Sequence, residues 1–123
     1  VAMADSEVTF EQARRQVLDF MAARDWSEFH TPKNLAMALA VEAAEIVEIY
    51  QWMTPGESLS TADDADLRQS VADEIADVAV YLTVLADAAG VDIPTAVTSK
   101  MDRNEGRFPV DDAAGTALGD KAT

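Results

Sequence analysis

Apolar residues recur along this chain at three- and four-residue spacing, and no run alternates at the two-residue spacing of a half-buried strand, so the pattern predicts an all-α fold. Thr9 followed by Gln12 forms a capping box that opens a first helix, with Phe10, Ala13, Val17, Phe20 and Met21 on its apolar face and an end near Arg24 or Asp25. Thr31 then Pro32 is an N-cap followed by proline at the first helical position, and the helix it starts runs to about Trp52. Thr54, Pro55 and Gly56 begin a polar loop expected to reach about Asp66. A third helix spans roughly Leu67 to Ala89 and stops at Gly90, the residue type suited to a C-cap. Pro94 starts a shorter fourth helix carrying Ala96, Val97, Lys100, Met101 and Asn104, which Gly106 ends. The expected architecture is a four-helix bundle-like protomer over residues 1–109, with a flexible tail over 110–123. The second helix is apolar nearly all round, since Met37, Ala40, Val41, Ala43, Ala44 and Val47 cover the side away from Glu42. That pattern predicts a subunit interface.

Four acids break the apolar pattern. Glu42 and Glu45 stand three apart in VEAAEIVE, and Glu74 and Asp77 stand three apart in DEIADV. At about 100° per residue, Glu42 falls on the stripe of Leu35, Ala38, Leu39, Ile46 and Ile49, and Glu74 on that of Leu67, Val71, Val78, Tyr81 and Leu85. An ionised carboxylate withdrawn from water costs several kcal/mol unless it is paired, and four facing inward repel one another. A divalent cation held between two antiparallel helices removes both costs. One such pair alone usually marks a solvated helix face, and it is the repetition on two apolar stripes that points to metal. With no cysteine and a single histidine in the chain, the oxygen donors favour Mg²⁺, with Mn²⁺ possible, over zinc or copper.

The remaining composition narrows the partners. Nine basic and 23 acidic residues give a formal net charge of −14, spread along the chain, which argues against binding nucleic acid or an anionic membrane. Disulfides and thiolate metal sites are excluded by the lack of cysteine. No apolar run approaches membrane-spanning length and no basic segment precedes an apolar one at the start, so a soluble cytoplasmic protein is the expectation. An acidic pocket still accepts a polyanion when divalent ions bridge carboxylates to phosphate oxygens, and Glu45 or Glu48 is then placed to orient or deprotonate an attacking water.

Three stretches carry a family resemblance: RDWSEFHTPKNLAMALAVEAAEIVEIYQW from Arg24 to Trp52, ADEIADVAVYL from Ala72 to Leu82, and KMDRNEGRFP from Lys100 to Pro109. With ExxE, a spacer and ExxD, the chain resembles the all-α nucleoside triphosphate pyrophosphohydrolases of the MazG-like superfamily, and within them the dCTP pyrophosphatase group. Val41 departs from the pattern, standing where many MazG-like proteins carry an additional Glu. The resemblance implies hydrolysis of a (d)NTP between the α and β phosphates, with Glu42, Glu45, Glu74 and Asp77 as Mg²⁺ ligands. It also implies an aromatic slot for a pyrimidine built from Trp26, His30, Trp52 and Tyr81, contacts to phosphate or sugar from Lys100, Asn104 and Arg107, and assembly as a homodimer or homotetramer.

Plainer roles stand beside these. His30 is also placed for a structural hydrogen bond to backbone, and Trp26 and Trp52 for hydrophobic packing. Competing functions are a dUTP-directed or broad house-cleaning pyrophosphohydrolase and, in another class, a non-enzymatic helical oligomerisation module, which leaves the inward acids unexplained. A carboxylate-bridged di-iron bundle needs Glu-x-x-His pairs, and no histidine follows Glu42, Glu45 or Glu74 at that spacing.

Overall fold

The computed structural model describes residues 7–110, and regular structure among them is helical throughout. Five α-helices follow in order: α1 (Phe10–Ala23), α2 (Pro32–Tyr50), α3 (Pro55–Ser58), α4 (Ala65–Ala89) and α5 (Ile93–Arg107). Single 3₁₀ turns at Ser27–Phe29 and Leu59–Ala62 lie between them. All five starts share one device. Thr9, Thr31, Thr54, Asp64 and Asp92 each stand in extended backbone and accept a hydrogen bond from an otherwise orphaned N–H of the first turn. Each cap is worth about 1 kcal/mol relative to alanine.

The structure corrects the sequence reading between Thr54 and Asp66. This stretch is not a plain loop but holds α3 and a 3₁₀ turn. Its cause is a Thr-Pro start like that of α2: the Thr54 hydroxyl oxygen accepts from Glu57 N–H at 3.1 Å, with proline at the first helical position. Asp64, whose Oδ1 accepts from both Asp66 and Leu67 N–H, starts α4 two residues earlier than the apolar pattern alone indicates. The expected tail lies outside the described residues except for Val110.

The chain divides into two compact units at Gly90 and Val91. In the first, α2 and α4 form the principal pair. Pro32, which opens α2, shares a cavity wall with Val84 and Asp87 near the end of α4, so the two helices run antiparallel. Helix α1 also runs antiparallel to α4, with Arg14 near its start within 3.4 Å of Asp87 and Phe20 and Met21 near its end beside Asp77 and Val80. Gly90 ends α4 with φ of 70°, the left-handed conformation in which an L side chain is penalised. The second unit is represented by α5, started by Asp92 and continuing through Gly106 to Arg107.

Little of the apolar surface is buried within one protomer. Leu35, Val71, Val84 and Ala86 are the buried hydrophobic residues among those described, joined by Thr83, whose hydroxyl donates to the Ala79 carbonyl at 2.7 Å. The side of α2 away from the acids stands open, with Met37 60 %, Val41 59 % and Val47 63 % exposed. No described helix is long and apolar enough to cross a membrane.

Candidate metal centre

Each carboxylate pair occupies consecutive turns of one helix, because residues three apart lie within about 60° on a helix surface. The antiparallel packing of α2 on α4 then sets the two pairs face to face. Glu42, Glu45, Glu74 and Asp77 each offer an oxygen, and those four oxygens all lie within 4.8 Å of one another. The three glutamates are half-buried and Asp77 is exposed, so the cluster has a closed side and an open one. Inside it, Oε2 of Glu42 and Oε2 of Glu74 are buried without any hydrogen-bond donor.

The electrostatics follow from that crowding. Burial first, then the charges of Glu45 and Asp77 and a hydrogen bond with Glu45, raise the Glu42 carboxyl above its ordinary value of 4.5. Glu74 is raised as well, chiefly by its hydrogen bond with Glu45, then by burial and by the charges of Glu45, Asp77 and Glu42. Without a cation the cluster resists full ionisation. Two orphaned anionic oxygens among four convergent ligands, none of them sulfur or nitrogen, fit a hard divalent cation such as Mg²⁺ or Mn²⁺. The residues present therefore suit the metal that the sequence suggests.

The other candidate residues are spread more widely. Tyr81 is half-buried on α4, four residues beyond Asp77. Trp26 packs edge-on against Phe20 with centroids 5.9 Å apart, and the Arg24 guanidinium lies 3.6 Å from the Phe20 ring centre. His30 lines a separate cavity of about 770 Å³ with Asp19, Asp25 and Asp87. Trp52, just past the end of α2, is 89 % exposed. The structure thus brings the four acids together, while Trp26 lies against Phe20, His30 lines the larger cavity and Trp52 is exposed. Lys100, Asn104 and Arg107 all lie on α5, where Lys100 is exposed, Asn104 donates to Met101 Sδ at 3.8 Å and Arg107 lies 5.3 Å from the Phe108 ring centre.

One feature escaped the sequence pattern. A cavity of about 450 Å³ between α1 and α4 reaches Asp77 and is walled by Gln16, Val17, Phe20, Met21 and Val80. The spacing of Val17, Phe20 and Met21 reads as a core face, and only the 45 % exposure of Phe20 reveals an open wall.

An all-α protomer with two carboxylate pairs converging from antiparallel helices defines a candidate divalent-metal protein of a recognisable type. The chain belongs to the MazG-like family, whose model matches residues 37–118. It is 42 % identical over 111 residues to dCTP pyrophosphatase 1 of Rattus norvegicus, covering 90 % of this chain and 65 % of the relative. The Homo sapiens protein of that name is 44 % identical over 103 residues, covering 84 % and 61 %. The chain thus spans less than two thirds of the length of these curated relatives. A solved structure of a pyrophosphatase from Archaeoglobus fulgidus superposes with a TM-score of 0.75 at 34 % identity, covering 88 % of this chain and 99 % of that one.

Proposed function

We propose that the chain is a Mg²⁺-dependent nucleoside triphosphate pyrophosphohydrolase that converts a (d)NTP, with dCTP the expected substrate, to the monophosphate and pyrophosphate. The observation that carries this reading is the convergence of Glu42, Glu45, Glu74 and Asp77, with two buried oxygens lacking any donor. Similarity to dCTP pyrophosphatase 1 over most of the chain supports the substrate class.

Those four residues would hold Mg²⁺, or Mn²⁺. A bound ion supplies positive charge for the triphosphate oxygens and for charge gathering on the leaving pyrophosphate. In the reaction, water oxygen forms a bond to the α-phosphorus while the bond from that phosphorus to the α–β bridging oxygen breaks. The chain's own residues do the rest. The half-buried glutamates limit water at the closed side of the cluster, and the exposed Asp77 leaves an open approach for substrate. Glu45 or Glu48 would orient the attacking water or take its proton.

The protein is proposed to act as a homodimer or homotetramer. Met37, Val41 and Val47 form an apolar surface on α2 that a protomer leaves open, and a second copy offers the same surface in return. Identification of the products from a panel of dNTPs and NTPs, with Mg²⁺ and with chelator, tests the function. The expected products from dCTP are dCMP and pyrophosphate, formed with Mg²⁺ alone; dCDP with orthophosphate, or turnover indifferent to chelator, overturns the reading.

A further inference from the structure

Phe20 lines the cavity that reaches Asp77 and is 45 % exposed, so packing between helices does not by itself fix its ring. Arg24 supplies the restraint. Residues four apart are neighbours on a helix surface, and the Arg24 guanidinium carbon lies 3.6 Å from the centre of the Phe20 ring while Nη1 donates to the Phe20 carbonyl at 3.0 Å. That carbonyl is one of the last four of α1, which lack a partner in the regular helical ladder. One side chain thus grips both the ring and the backbone of the same residue. The turn that follows adds a second contact: Asp25 takes φ of 54°, Trp26 N–H donates back to the Met21 carbonyl at 3.4 Å, and the Trp26 ring meets the Phe20 ring edge-on at 72°. In a chain of net charge −14, the Arg24 guanidinium forms no ion pair with a described carboxylate. Its contacts are to Phe20.

We propose that Arg24 is a positioning residue, which stacks on Phe20 to hold its ring as a fixed wall beside Asp77 and so sets how readily the nucleotide seats against the acids. The proposal rests on the pyrophosphohydrolase reading. A half-exposed ring that is ordered only when substrate arrives costs conformational entropy at that moment, and a ring already held does not. Both the bound substrate and the transition state gain equally from the fixed wall, so the effect belongs to KM and not to kcat. The residue type matters, because a planar guanidinium stacks on an aromatic face while the ammonium of lysine is a compact charge without a plane. Two other roles make different demands. A cation that only favours the C-terminus of α1 acts on stability alone, and a cation that meets the triphosphate directly acts whether or not Phe20 is present.

A double-mutant cycle in the kinetics of dCTP hydrolysis with Mg²⁺ tests this, using Arg24→Lys, Arg24→Leu, Phe20→Leu and the two double variants. Arg24→Lys keeps the charge and loses the stacked plane, so it should raise KM about three- to tenfold, the worth of one cation–π contact, with kcat little changed. Arg24→Leu should do the same. In the Phe20→Leu background neither change should raise KM further, because the ring through which Arg24 acts is gone. Arg24 is exposed and its replacements are good helix formers, so the fold should hold, and circular dichroism of each variant checks it. A KM unchanged in folded Arg24→Lys and Arg24→Leu, with only Tm lowered, makes Arg24 a structural residue and overturns the proposal while leaving the reaction standing. An effect that persists in the Phe20→Leu background, or that lysine restores, also overturns it, since Arg24 then meets the substrate as a charge. If wild type hydrolyses no triphosphate, the reaction is overturned, and calorimetric binding of dCMP with Mg²⁺ decides the role of Arg24: a Kd raised by Arg24→Lys only while Phe20 is present supports it, and an unchanged Kd or no binding overturns it.

Discussion

Glu42 on α2 and Glu74 on α4 each bury one carboxylate oxygen, Oε2, that no donor reaches, although both belong to a cluster whose ligand oxygens lie within 4.8 Å of one another. Two helices thus pack at a point where their side chains repel. Such an arrangement is destabilising by itself and is stabilised once a cation enters, and this inversion can be measured.

Glu74→Gln keeps the size of the side chain and removes one charge, so the metal-free variant should melt at or above the temperature of the metal-free wild type. Adding Mg²⁺ should reverse the order. At a free concentration one hundred times its Kd, a ligand bound only by the folded state adds about 2.7 kcal/mol, a gain the variant should largely lack. Thermal melts of both proteins with Mg²⁺ and with chelator decide the matter, and a metal-free variant less stable than wild type with an equal Mg²⁺ response would make Glu74 a structural residue.

The raised carboxyls of Glu42 and Glu74 bind their protons more tightly in the folded chain than in the unfolded one, whose reference value is 4.5. Their contribution to stability is therefore fully present below pH 4.5 and is lost as pH rises through the folded values. In chelator, this part of the stability should decline with pH across that window. The shift in Tm produced by Mg²⁺ should grow over the same window, because the cation competes with those protons. A Mg²⁺ shift independent of pH from 4.5 to 7 would remove these two residues from the metal site.

Two left-handed backbone positions should respond to glycine in opposite ways. Gly90 has φ of 70° and closes α4, while Asp25 has φ of 54° just after α1. Gly90→Ala should cost about 1 kcal/mol, and Asp25→Gly should be neutral or stabilising by a few tenths. Paired chemical denaturation curves with equal m-values check both.

Charge placed on the open side of α2 should break the proposed assembly without touching the acids. Val47→Glu is expected to reduce the mass found by light scattering to that of one chain and to remove any dependence of Tm on protein concentration. A wild-type protein that is monomeric at working concentration would overturn the interface.

The parts of the molecule legible in the sequence are those set by local chemistry. Thr9, Thr31 and Gly90 mark helix ends because capping is decided within one turn, and the structure has them in those roles. The acids could be paired across helices because each stands out against an apolar stripe at fixed period. Helix α3 is hard to read in the sequence because Gly56 weakens the start signal that Thr54 and Pro55 carry. The cavity beside Asp77 was hidden for a different reason: a position such as Phe20 has the same period whether it faces a neighbouring helix or an open space, and only the packing of α1 on α4 distinguishes the two.

The antiparallel pairing of α2 and α4 also determines where the chain can change length. The connection between them, from Gln51 to Asp64, lies outside the two ligand turns. Extra residues there cost only loop-closure entropy, which rises by about 0.6 kcal/mol per doubling of length. A single residue inserted between Glu42 and Glu45, or between Glu74 and Asp77, instead rotates everything beyond it by about 100° and carries one carboxylate off the shared face. Insertions and deletions should therefore be common between the helices in related sequences and absent within each three-residue step.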